Sequence, residues 1–108
     1  MKLIDLIEYL IEPGKMENLY QQRKLNTESE ALLIYMQNEL SLESNIAFFK
    51  IEETEDDLKF VKNGLQYVQL FPIDYAIELI ESDLDLKNKG YTNLEIAKRL
   101  LEYRLKDS

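Results

Sequence analysis

The sequence contains no histidine, no cysteine and no tryptophan, and only three glycines and two prolines in 108 residues. Without Cys and His, the common zinc ligand sets, iron–sulfur clusters, Cys- or His-ligated haem and disulfide frameworks are all excluded. Nucleophile systems built on an imidazole base, Ser-His-Asp and Cys-His, go with them. Gly14, Gly64 and Gly90 stand too far apart for a P-loop or a G-x-G-x-x-G phosphate cradle. Asp, Glu, Lys, Tyr and Arg remain for catalysis, and carboxylate-pair chemistry needs a substrate cleft that so small a domain seldom carries. The chain is therefore expected not to be an enzyme and to hold no metal or cofactor.

Nor does any apolar run approach the ~18 residues of a membrane-spanning helix. The opening Leu3, Leu6, Ile7 and Leu10 are interrupted by Asp5 and Glu8, unlike the apolar core of a signal peptide. A cysteine-free chain of this kind is expected in the cytoplasm.

What is present is apolar material and negative charge. Residues of the apolar classes make up 45% of the chain, enough for one core, and the length predicts a single domain over residues 1–108. Twenty-one acidic residues against 13 basic ones leave a net charge of −8. That sign argues against direct nucleic-acid binding and against anionic membrane surfaces.

The apolar spacing predicts an all-α bundle of five to six helices. Leu3, Leu6, Ile7 and Leu10 mark a first helix ended by Pro13-Gly14. Residues 15–26 suggest a short helix or ordered loop. Thr27 and Glu30 form a capping-box pattern ahead of residues 31–36, which are apolar all the way round, as in a central bundle helix. Residues 42–53 fit a strand or an irregular segment as well as a helix. Asn63-Gly64 between two apolar runs is a strong hairpin signal. Against it, Lys59, Lys62, Asn63, Gln66 and Gln69 gather within roughly 120° when wound as a helix, with Leu58, Val61, Leu65 and Val68 opposite. Helical periodicity is favoured there. Pro72 opens a helix to about residue 88, and Thr92 with Glu95 caps the last one, residues 93–106.

The segment Gly90-Tyr91-Thr92-Asn93-Leu94-Glu95-Ile96-Ala97-Lys98-Arg99-Leu100 resembles the opening helix of the helix-turn-helix in LuxR-type response regulators. In that family a turn and a DNA-reading helix follow. Here residues 101–106 continue the same helix, so the resemblance does not extend to the half that reads DNA.

The charge is uneven. Residues 91–108 carry four basic and three acidic side chains, a net +1, leaving −9 for residues 1–90. Glu52, Glu53, Glu55, Asp56 and Asp57 crowd into six residues, which suits a solvated connection whose last acids favour the N-terminus of the element that follows. Asp74, Glu78, Glu81 and Asp85, spaced 4, 3 and 4, fall within roughly 60° on a helix. Their like-charge i,i+4 pairs cost about 0.2–0.5 kcal/mol each and have no basic neighbour within the stripe. Beside the stripe run Tyr75, Leu79 and Leu86. Acids that steer association next to an aromatic anchor are what an interface for a basic partner requires.

The expected function is therefore a non-catalytic acidic binding protein that neutralises or inhibits a basic protein partner such as a nuclease or toxin. Immunity proteins, antitoxins and phage-encoded inhibitors share this profile of size and charge. The expected contact residues are Asp74, Tyr75, Glu78, Leu79, Glu81 and Asp85, with the acids at 52–57. The alternative is a self-associating helical scaffold or adaptor, for instance a homodimer, driven by apolar excess at residues 31–36, 46–51 and 75–86.

Overall fold

In a computed structural model, which describes residues 1–22, 31–86 and 89–106, the chain is not an all-α bundle but a mixed α/β fold. Its elements run α1 (Leu3–Leu10), α2 (Pro13–Gln22), β1 (Leu32–Gln37), β2 (Ile46–Lys50), α3 (Ile51–Thr54), β3 (Lys59–Lys62), β4 (Leu65–Pro72), α4 (Ile73–Glu78, continued by a π-turn over Leu79–Asp83) and α5 (Asn93–Lys106). The four strands form one antiparallel sheet in the order β2-β1-β4-β3.

The first helix forms as its spacing predicts, burying Leu3, Leu6, Ile7 and Leu10. Asp5 accepts a hydrogen bond from the Lys2 backbone N–H at 2.9 Å and so closes the N-terminal turn. Pro13 then starts α2, at the helical position where its missing N–H costs nothing. Lys15 spans the joint, 2.8 Å from Glu8 and 3.7 Å from Glu12. The Thr27–Glu30 capping pattern lies outside the described residues.

The central helix expected at residues 31–36 is instead strand β1, whose residues Leu32 to Met36 are all buried. The reason is that both faces of the sheet are covered, which erases the polar alternation of a half-wet strand. Leu32, Ile34 and Met36 face a core built with α1, α2, α4 and α5. Leu33 and Tyr35 face a second, smaller cluster with Phe49, Phe60 and Tyr67. Residues 42–53, left open between strand and helix, divide into both: strand β2 followed by the single turn α3.

The helix expected over residues 58–71 is the hairpin β3–β4. Asn63 (φ 55°) and Gly64 (φ 78°) occupy its two-residue turn, with Lys62 opposite Leu65. Positive φ at both central positions is the type I′ pattern that Asn-Gly favours. Leu58, Val61 and Leu65, expected in a helix core, are 59%, 63% and 43% exposed. A bulge in the β1–β4 ladder between Ile34 and Tyr35 inserts Leu70, so that Gln69 pairs with Tyr35 while Leu70 and Phe71 both enter the larger core.

The helix expected to run from residue 73 to 88 stops at Asp83. Its last turn is wide: the Leu84 N–H donates to the Leu79 carbonyl five residues back at 2.9 Å. Only α5 matches its expected bounds, with the Thr92 hydroxyl accepting from the Glu95 backbone N–H at 3.2 Å. No helix among the described residues is long and apolar enough to cross a membrane.

Candidate functional site

The acids singled out at residues 52–57 divide into structural and solvent-facing groups. Glu52 and Glu53 are exposed on α3, and Glu53 pairs with Lys62 of the hairpin. Glu55 and Asp56 follow in consecutive left-handed conformations, φ 55° and 60°. That backbone is held from inside the protein. Buried Gln69 donates from Nε2 to Asp56 Oδ1 at 2.9 Å, and the fully buried Tyr35 hydroxyl donates to the Asp57 carbonyl. Thr54, itself buried, accepts from the Asp56 N–H through Oγ1 at 3.2 Å. Asp56 and Asp57 thus fasten the segment to the sheet through contacts that need no partner.

The π-turn alters the second group. Asp74, Glu78 and Glu81 are exposed on α4 and its continuation, and among the described residues none of them lies within 4.0 Å of a Lys or Arg nitrogen. Asp85 leaves this line: it sits beyond the helix, partly buried, in a left-handed conformation with φ 50°. The expected ridge of four is a row of three. The charge of Asp74 reaches α2, where Tyr20 has its phenol pKa raised, by burial first and by Asp74 second. Leu79 and Leu86, expected beside the ridge as an outer apolar line, are in the core at 0% and 3% exposure. Leu79 therefore offers no surface to a partner.

Tyr75 is half-buried. Its ring meets Phe71 edge-on with centroids 5.4 Å apart, and its hydroxyl lies 3.3 Å from that of Tyr103 on α5. Together with Leu58, Pro72, Tyr103 and Arg104, these rings line a groove of about 390 Å³. One wall, Leu58, directly follows the acidic segment 52–57; another, Tyr75, comes from the helix that carries Asp74, Glu78 and Glu81. Leu58, Tyr103 and Arg104 do not stand out in the sequence. Helical periodicity places Leu58 on a buried face, and nothing in the spacing of Tyr103 connects it with Tyr75, 28 residues away. Among the described residues, no three carboxylates gather as a metal ion would require.

No protein-family model, no curated protein and no solved structure matches the chain.

Proposed function

We propose that the chain is a non-catalytic binding protein that neutralises a basic protein partner, as immunity proteins, antitoxins and phage-encoded inhibitors do. The observation that carries this reading is the groove between Leu58 and Tyr75. It is a mainly apolar and aromatic concavity that also includes Gln69 and Arg104, its wall at Leu58 is 59% exposed, and it is flanked by the acidic segment before Leu58 and by α4 with Asp74, Glu78 and Glu81. Interfaces of this kind divide the labour. A buried aromatic or aliphatic anchor supplies affinity, and the surrounding charges set orientation and on-rate. Asp74, Glu78 and Glu81 are suited to the second task because no described cation neutralises them. On a nuclease or similar toxin, such acids cover surface that otherwise receives phosphate.

The three apolar stretches that suggest self-association are largely consumed by the fold: Leu32 to Met36, Phe49, Ala76, Leu79 and Ile80 are all buried within the chain. Burial of these stretches leaves them little surface with which to self-associate. The test of the neutralising reading is retention from source-cell lysate on the immobilised protein, with an Asp74→Ser/Glu78→Ser/Glu81→Ser variant and a Leu58→Ser variant alongside. A single basic protein held by the wild type is expected to bind the triple variant with on-rates lowered roughly tenfold at low salt. The Leu58→Ser variant is expected to release the same protein faster. Retention by all three chains alike would overturn the reading.

A further inference from the structure

Although the chain carries a net −8, one of its concavities is positive. It measures about 230 Å³ and lies between α5 and the connection that precedes it. Arg99, Glu102, Tyr103 and Lys106 come from one face of α5, at helical spacings of 3, 1 and 3. Lys89 and Tyr91 enter from the connection, and Leu84 and Leu86 supply apolar floor. That floor depends on the irregular end of α4. The π-turn and the left-handed Asp85 turn the chain out of the helix so that Leu84 and Leu86 meet α5 rather than continuing along α4.

Among the described lining residues three cations thus share the cavity with one carboxylate, a charge of +2 from these side chains. Glu102 accepts a hydrogen bond from Lys106 Nζ at 2.7 Å. Its carboxyl is held below the ordinary glutamate value by that bond first, and also by the charges of Lys106 and Arg99. The Arg99 guanidinium lies over the Tyr91 ring at 5.2 Å from its centroid, a cation–π contact that holds it at the cavity. Neither Arg99 nor Lys89 has a carboxylate within 4.0 Å among the described residues.

We propose that this cavity binds a small organic phosphate, a phosphate monoester carried on a compact apolar body such as a single ring. A monoester bears about −1.5 to −2 at pH 7, which matches the local charge, whereas one carboxylate would leave a cation unanswered. The guanidinium offers a planar two-pronged donor, and the lysines add point charges from the sides. Leu84, Leu86 and the two tyrosine rings give the apolar body apolar surface to rest on, the usual division of a small-molecule site into a few polar groups and an apolar lining. Glu102 stands where the anion's charge belongs, and so competes with the ligand for Lys106 and Arg99. This site uses none of the acids assigned to the partner-binding reading and stands whether or not that reading does.

The test is a titration of the isotope-labelled protein with phenyl phosphate at pH 7 and low salt, followed by amide chemical shifts, with inorganic phosphate and phenol as the two halves of the probe. Shifts are expected to concentrate at residues 84–86, 89–91 and 99–106. Phenyl phosphate should bind roughly tenfold tighter than inorganic phosphate, because the ring adds apolar burial. Arg99→Gln, at an exposed position whose spectrum elsewhere reports that the fold is intact, should weaken phenyl phosphate roughly tenfold or more. Glu102→Gln should strengthen it, while Glu17→Gln, the same charge change on α2, should leave it within about twofold. A wild type that does not saturate with phenyl phosphate overturns the proposal. So does an Arg99→Gln variant that binds like the wild type, or equal gains from Glu102→Gln and Glu17→Gln, which would mark a general charge effect.

Discussion

The ring of Phe49 lies 5.1 Å from that of Phe60, although the two residues belong to the opposite edge strands of a four-stranded sheet. Flat strands spaced about 4.8 Å apart would hold them roughly 14 Å from each other. The sheet therefore curls until its edges meet over Tyr35 and Tyr67, and the four rings close its second face. Phe49→Ala, at a buried site, is expected to cost about 3 kcal/mol, and Phe60→Ala, half-buried, less. The double variant should show a coupling of about 0.5–1.5 kcal/mol in denaturant unfolding. Strict additivity would mean that the edges do not meet.

The hairpin that brings Phe60 to this position turns on Gly64 at φ 78°. Alanine there must adopt a left-handed conformation, so Gly64→Ala is expected to destabilise by about 1–2 kcal/mol even though no atom lies within 4 Å of the added Cβ. Gly14 also has open space where a Cβ would stand, but it sits in the first turns of α2 without a positive φ. Gly14→Ala should therefore stabilise slightly, by up to about 0.5 kcal/mol. Urea midpoints of the two variants should move in opposite directions; movement in the same direction would place strain somewhere other than the turn.

The contrast between these elements explains what the sequence made legible. α1 and α5 were readable because each has one wet face, so the 3.6-residue period survives: Leu3, Leu6, Ile7 and Leu10 in one, Ile96, Ala97 and Leu100 in the other. β1 was not, because burial on both faces makes Leu32 to Met36 look like a helix that is apolar all round. At the hairpin, local turn chemistry at Asn63-Gly64 and apparent helical periodicity disagreed, and the turn chemistry was the correct guide. The polar helix face of Lys59, Lys62, Gln66 and Gln69 was a coincidence of a short edge strand, which keeps lysines outward, and of Gln69, which is buried for a hydrogen-bonding purpose. The acids were legible as charge, but the division of 52–57 into tethers and solvent-facing acids depends on Tyr35 and Gln69, distant in sequence.

That tether gives a further prediction. Tyr35→Phe keeps the ring packing and removes only the hydroxyl that donates to the Asp57 carbonyl. The partner oxygen and the Gln69 amide each lose a bond, so about 1–2 kcal/mol of stability should be lost. Because the loss falls on the segment that holds two consecutive left-handed residues, amide exchange at residues 55–58 should accelerate more than exchange in α1. Uniform acceleration across the molecule would indicate that the hydroxyl stabilises the core as a whole and does not tether the acidic segment.

Tyr20 offers a direct reading of the acid row. Its phenol titrates above the ordinary tyrosine range because burial and the Asp74 carboxylate both disfavour the phenolate. A pKa raised on folding means that the stability linked to this group is complete below the unfolded value and is lost as the pH rises through the folded one. Asp74→Asn removes the smaller of the two causes, so the Tyr20 pKa should fall partway toward its ordinary value and no further. Raising the salt to about 1 M should reproduce part of that fall in the wild type, since the screening length there is about 3 Å. Titration followed by tyrosine ultraviolet absorbance or ring chemical shifts measures it. A basic partner that seats a cation on Asp74 should produce the same downward movement, so Tyr20 also reports occupation of the acid row without a label. A Tyr20 pKa indifferent to Asp74→Asn would mean that the carboxylate turns away from α2, and the row would then need to be drawn through Glu78 and Glu81 alone.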